Sequence, residues 1–280
     1  MNSKLPSYFQ LTRPINLILG VLSIFIGAFI TGTIQPLANV LLACISGGLV
    51  MAGGYVINDY FDVEIDRANK PWRPLSSNQV KIQEAVIFSI ILFVLGIFLS
   101  IFIHSIAFLV AVFTSLGLIL YSAKLKRTVL LGNLAVSLFS ALAFVYGALS
   151  VGRWRASLIP AGFAFLFHLG REIIKDVEDL SGDEACSAHT LPVRFGQKAA
   201  FVMATWVFAI LIVFTFLPYL FGIYGKGYFW IVLIGVDLVL ILTLVLIWSR
   251  PVGYNLARIS MILKADMFVG LTAIYVGTPN

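Results

Sequence analysis

Apolar runs long enough to cross a lipid bilayer follow one another along this 280-residue chain with hardly a gap. A membrane-spanning helix takes roughly 17–25 apolar residues. Such stretches fall at about 15–32, 38–57, 83–103, 105–121, 128–150, 157–175, 199–219, 227–249 and 256–277. In hydrocarbon every backbone amide needs an internal partner, and runs of this length satisfy that as helices. The expected fold is all-α: a polytopic membrane protein of nine transmembrane helices, forming one domain over residues 1–280. The weakest breaks are at His104 and at the Lys264/Asp266 pair inside the ninth run. The first run follows Arg13-Pro14 and continues as a full span without a cleavage site, so no removable leader is expected.

Charge is scarce, 11% of residues against 60% hydrophobic, and it is concentrated. Of 13 carboxylates, 11 fall within residues 59–84 and 172–184, leaving only Asp237 and Asp266 elsewhere. Inside those windows one spacing occurs twice. Asp59, Asp62 and Asp66 are repeated 117 positions later as Asp176, Asp179 and Asp183, both trios reading i, i+3, i+7. On a helix each trio lies on one narrow stripe, and stacked like charges are destabilising unless a cation neutralises them. Carboxylate oxygens suit Mg²⁺, above all where phosphates complete its shell. Two such stripes facing one another would clamp a metal-bound diphosphate from both sides.

With the N-terminus inside, sixteen of the nineteen Lys and Arg residues fall on the inner face; Arg153, Arg155 and Lys226 fall outside. That asymmetry orients both acidic clusters, in motif loops at about 58–82 and 176–198, towards the cytoplasm of a cell membrane. The net charge of +6 sits at helix ends and gives no reason to expect nucleic acid. Cys44, within a span, and Cys186, in a cytoplasmic loop, imply neither a disulfide nor a zinc site. The clusters follow the second and sixth spans, so their carrier helices run in the same direction. The expected architecture is two parallel four-helix halves plus a ninth helix, around a central cavity. Candidate phosphate-binding cations are Lys70 and Arg73 after the first cluster, Lys124, Lys126 and Arg127 in the middle loop, and Arg171 and Lys175 before the second. Tyr121, one turn before Lys124, can present a hydroxyl to the cavity. Asp237 and Asp266 are costly within a bilayer; Asp266 is expected to pair with Lys264 or cap a kink, and His104 and His168 to face helix junctions.

At these residues the chain resembles a known family. Asn58-Asp59-x-x-Asp62-x-x-x-Asp66, followed by Asn69-Lys70-Pro71-x-Arg73-Pro74-Leu75, is similar to the first signature of the UbiA superfamily of intramembrane prenyltransferases. Asp176-x-x-Asp179-x-x-x-Asp183 resembles the second, and Tyr121-Ser122-x-x-Leu125-Lys126-Arg127 and Arg13-Pro14-x-Asn16 also fit. The stretch from Arg171 to Asp183 is most similar to the archaeal-type geranylgeranylglyceryl phosphate geranylgeranyltransferases; His189 departs from the Lys common before Thr-Leu-Pro. The resemblance implies Mg²⁺, with Asn58 joining the metal ligands, and a prenyl diphosphate donor ionised to an allylic cation. It also implies a lipophilic acceptor drawn from membrane lipid, geranylgeranylglyceryl phosphate being favoured over an aromatic one. Catalytic roles then fall to Asp62, Asp66, Asp179, Asp183, Arg73, Lys126 and Tyr121. A secondary transporter for a divalent cation or organic anion is the rival from another class, since paired acidic clusters on a repeat also occur there. Transporter sites, however, lie at the bilayer midplane, whereas these clusters lie at one boundary.

Overall fold

In a computed structural model that describes residues 5–185, 187–249 and 253–278, the apolar runs become helices. Lys4, Cys186 and Arg250 lie outside the described residues. The long elements are α2 (Pro14–Phe29), α3 (Leu37–Phe61), α5 (Ile82–Ser100), α6 (Ser105–Ala123), α7 (Leu131–Leu149), α8 (Leu158–Glu178), α11 (Gln197–Leu220), α13 (Leu238–Ser249) and α14 (Gly253–Gly277). Short helices α1 (Leu5–Leu11), α4 (Val63–Asn69), α9 (Leu180–Ala185), α10 (Leu191–Phe195) and α12 (Lys226–Ile231) flank them. A π-helical turn, Val232–Asp237, joins α12 to α13 into one span.

Among the described residues eight helices are long and apolar enough to cross a membrane, and a ninth if α1 and α2 count as one broken span. The expected first span, 15–32, corresponds to α2, and the break lies just before it. Pro14 cannot donate a backbone bond, and Arg13 before it adopts a left-handed conformation (φ 51°), so α1 and α2 meet at 54°. Of the two breaks expected, the one at His104 is a helix start, where its Nδ1 accepts from the Ile106 amide, while α14 runs unbroken through Lys264 and Asp266.

Lipid supplies no hydrophobic drive between helices, so close packing and small residues do that work. Gly96 on α5 is pressed so near α3 that a Cβ there would stand 2.9 Å from the Ser46 carbonyl oxygen. Ser46 Oγ donates to Gly96 O at 2.7 Å, and Ser89 Oγ to Gly53 O at 2.9 Å, locking the same helix pair. Gly27 on α2 and Gly147 on α7 each abut the other helix's backbone, at Phe144 and Ile24. α3 packs on α2, α5 and α6, while α8 packs on α7, α11 and α14, and α14 closes onto α2. These contacts ring a central cavity of about 620 Å³.

Candidate active site

Both acidic motifs interrupt their helices at the middle aspartate. α3 ends at Phe61 and α4 starts at Val63, with Asp62 between them at φ −96°, ψ −2°. α8 ends at Glu178 and α9 starts at Leu180, with Asp179 at φ −87°, ψ 4°. Each of the two expected stripes is thus broken at its middle residue. Asp62, Asp66, Asp176, Asp179 and Asp183 all line the cavity wall.

Asp59 does not join them. It is buried, bonded to Arg13 and 3.2 Å from Arg73 Nη1. The Arg13 guanidinium also lies over the Tyr55 ring, 5.4 Å from its centre. Asp59 therefore fixes cations rather than facing the cavity. Arg73 reaches on to Asp66, Nη1 to Oδ2 2.5 Å. Its loop is pinned because Leu75 and Val80 are buried in a cluster with Leu11, Val56 and Val63. Burial pushes the Asp66 carboxyl above its ordinary pKa, and Arg73 opposes this.

Lys126 lies in a 3₁₀ turn, Leu125–Arg127, against which Gly132 is packed so tightly that a Cβ would meet the Leu125 carbonyl at 2.8 Å. From there Lys126 Nζ reaches Asp62 Oδ1 at 2.5 Å and Asn58 Oδ1 at 3.4 Å. Burial lowers the Lys126 pKa and Asp62 counters it. The middle loop is tied to the second motif by the His189 amide, which donates to Arg127 O at 2.8 Å.

The contacts of the two motifs repeat at the spacing of the sequence. Asn58 Nδ2 donates to Asp62 Oδ2 at 2.9 Å, and 117 positions on Lys175 Nζ stands 2.9 Å from Asp179 Oδ2. Arg73 holds Asp66, and at the same offset Thr190 Oγ1 donates to Asp183 Oδ2 at 3.0 Å. Asp176 accepts from Asn133 Nδ2 at 2.8 Å. Burial works to raise Asp179, yet Lys175 holds its carboxyl below the ordinary value; Asp183, with only a hydroxyl donor, is pushed up by burial. Among the described residues no three of these carboxylates converge on one point, because cations and amides occupy the spaces between them.

The remaining candidates divide cleanly. Lys70, Tyr121, Arg127, Arg171 and Lys175 line the cavity, with Tyr121 close enough to Asp62, Glu172, Lys175 and Asp176 to feel their charges. Lys124 does not line it. Two expectations about bland residues are corrected. His168 lines the cavity, with a buried Nδ1 that has no partner. Asp266 has no partner among the described residues: both carboxylate oxygens are buried without a hydrogen bond. Asp237 accepts from Thr215 Oγ1 at 3.2 Å. Below the polar mouth the walls turn apolar, with Leu19, Phe144, Phe163, Phe167, Leu211 and Leu271.

A model of the UbiA prenyltransferase family matches residues 20–261. The chain belongs to that family. It is accordingly an integral membrane enzyme of the prenyltransferase class. Among UbiA proteins it is 42% identical to the digeranylgeranylglyceryl phosphate synthase of Sulfurisphaera tokodaii, over 86% of this chain and 87% of that one. The synthase of the same name from Methanothermobacter thermautotrophicus is 34% identical over 97% and 95% of the two chains. A solved structure described as giving insight into digeranylgeranylglyceryl phosphate synthase in membranes superposes with a TM-score of 0.80 at 34% identity, covering 98% of each chain. An Archaeoglobus fulgidus UbiA homologue, solved with DMAPP and Mg²⁺, shares the fold at a TM-score of 0.72 and 22% identity, over 95% of this chain and 99% of that one.

Proposed function

We propose that this protein transfers a geranylgeranyl group from its diphosphate to geranylgeranylglyceryl phosphate, in a Mg²⁺-dependent step of ether-lipid synthesis at the cytoplasmic side of the cell membrane. The observation that carries this is a single cavity with a doubly acidic, cation-studded mouth and an apolar interior. A diphosphate head and an isoprenoid tail match those two parts. The curated relatives bear the name of that synthase, and the Archaeoglobus homologue was solved with an isoprenoid diphosphate and Mg²⁺.

The donor set fits a hard divalent cation: Asn58, Asp62, Asp66, Asp179 and Asp183 offer only oxygen ligands to the cavity mouth, without sulfur or imidazole. Bound there, Mg²⁺ supplies stabilisation of the negative charge that grows on the departing diphosphate. The protein's own side chains do the rest. Lys70, Arg73, Lys126, Arg127 and Lys175 donate charge-assisted hydrogen bonds to phosphate oxygens, Arg73 and Arg127 with a bidentate fork. Arg73, Lys126 and Lys175 are already held near the carboxylates, so they are in position before the donor arrives. The allylic C–O bond breaks, its electron pair leaving with the diphosphate. The acceptor hydroxyl oxygen then shares a lone pair with the allylic carbon, and its proton passes to the released diphosphate anion. Phe144, Phe163 and Phe167 keep water from that cation, and ring faces attract it.

Purified protein in detergent is expected to release inorganic diphosphate only when given an isoprenoid diphosphate. Release is faster with geranylgeranylglyceryl phosphate than with hydroxybenzoate or naphthoate acceptors, and stops in EDTA. Full turnover in EDTA would overturn the metal assignment, a preference for an aromatic acceptor would overturn the lipid one, and no release from any prenyl donor would favour transport.

Orientation has its own test. In a Cys44→Ser, Cys186→Ser background, an impermeant thiol reagent added to intact cells is expected to label Ala156→Cys and spare Ser77→Cys. Both native residues are exposed, beside Arg155 at one end of the bundle and in the first motif loop at the other. Equal labelling of the two would defeat the cytoplasmic placement.

A further inference from the structure

Lys264 is the cation that the acidic motifs do not explain. It stands eleven residues into α14, about 16 Å along the helix axis at 1.5 Å per residue. It is half-buried, lines the cavity, and makes no hydrogen bond or ion pair among the described residues. Asp266 offers no relief, because its own oxygens are unpartnered. A lone ammonium within a span is costly and marks a functional position unless something neutralises it.

Its surroundings are positive. α14 packs on both α2 and α8, which brings Lys264 within electrostatic reach of Arg171 and Arg13. Arg13 is committed to Asp59. Arg171 gives Nη1 to Glu172 at 2.5 Å, but its Nε is buried with no partner. The wall also carries carboxylates, Glu172 and Asp266 among them, yet among the described residues the Lys264 ammonium and the Arg171 Nε–H are both unused. The other cavity cations, Lys70, Arg73, Lys126, Arg127 and Lys175, come from the motif loops and the end of α8 instead.

We propose that Lys264 and Arg171 form a second anion-binding subsite, on the α8–α14 wall of the cavity, that holds the phosphomonoester headgroup of the acceptor lipid. The inference rests on the lipid-acceptor reading above and names the groups that select a phosphorylated acceptor. A phosphomonoester carries close to two negative charges at neutral pH and three acceptor oxygens. It uses the unpaired ammonium and the idle Nε–H together. Held at this wall, it would keep the acceptor's charge apart from the diphosphate at the motif mouth, where the two anions would repel each other. Lys264 and Arg171 bind and position; neither touches the reacting carbon.

The test is equilibrium binding of radiolabelled geranylgeranylglyceryl phosphate to the purified full-length protein, without prenyl donor, beside unphosphorylated geranylgeranylglycerol. Wild type is expected to bind the phosphorylated lipid at least about tenfold more tightly, the worth of one charge-assisted contact. Lys264→Met keeps the length of the stem and removes an unpaired charge from a span, so insertion is preserved. It is expected to abolish most of that preference while leaving the unphosphorylated lipid unaffected. Lys264→Arg restores the preference. In turnover the Met variant raises the acceptor KM about tenfold with the donor KM little changed. Equal binding of the phosphorylated lipid by wild type and Lys264→Met overturns the subsite, as does equal weakening for both lipids, which would mark a packing role. Lys264-dependent binding without diphosphate release from any prenyl donor would retain the subsite and overturn the transfer reaction. Normal transfer that ignores Lys264 would do the reverse.

Discussion

Asp179→Asn and Asp183→Asn each slow prenyl transfer at least about a hundredfold, the scale of losing one preorganised electrostatic contact to a transition state, while the helix bundle stays intact. The substitution keeps size and an acceptor oxygen and removes only the negative charge. Asp183 accepts from the neutral Thr190 hydroxyl, a bond that an asparagine oxygen can also accept, so little native structure is lost. Asp179 pairs with Lys175, but the two side chains are 42% and 40% exposed, and a pair so well solvated contributes about 1 kcal/mol or less. Its backbone, at φ −87° and ψ 4°, is one that asparagine adopts readily. Diphosphate release at saturating donor, read beside thermal unfolding in the same detergent, separates the two effects. Turnover near the wild-type rate in either variant would remove that carboxylate from the metal-binding set.

The helices were legible because the bilayer leaves so few alternatives: a run of apolar residues such as 83–103 has to be α5, give or take a turn. The duplicated spacing was legible for the same reason, since charge in such a chain needs a purpose. What the spacing hid was the break at Asp62 and Asp179, because i, i+3, i+7 reads identically on a straight helix. Phe-Asp-Val and Glu-Asp-Leu contain neither glycine nor proline to announce a break. Tertiary pairing was also out of reach. Nothing near Asp59 says that Arg13, forty-six positions earlier, will claim it and turn it from a cavity residue into an anchor. Asn133 and Thr190 had a faint signal, each lying 117 positions after a polar motif residue, Asn16 and Arg73. His168, Glu172 and Lys264 could have been found by asking which polar residues fall inside apolar runs, where each must face a cavity or a partner.

Arg73→Ala and Lys126→Ala are both expected to slow C–O cleavage by one to several orders of magnitude, since a contact that strengthens in the transition state is worth roughly 2–4 kcal/mol. They should differ in stability. Lys126 faces Asp62, whose side chain is 20% exposed and keeps the Asn58 amide as a donor, so its loss leaves a carboxylate that water and one hydrogen bond can satisfy. Arg73 bridges Asp59 and Asp66, each only 6% exposed. Without it Asp59 retains Arg13, but Asp66, with Lys70 near it and not bonded to it, loses its direct ion pair. Breaking a buried pair from one side costs about 3–5 kcal/mol, limited here because Asp66 can take up a proton. Arg73→Ala therefore unfolds at a clearly lower temperature than wild type, and Lys126→Ala close to it, while both lose diphosphate release. Arg73→Lys keeps a charge but replaces the planar guanidinium, whose Nη1 reaches both carboxylates, with a compact ammonium on a differently shaped stem, so it falls between wild type and Arg73→Ala on both readouts. Diphosphate release untouched by either alanine would return both side chains to the ordinary business of anchoring helix ends at the membrane surface.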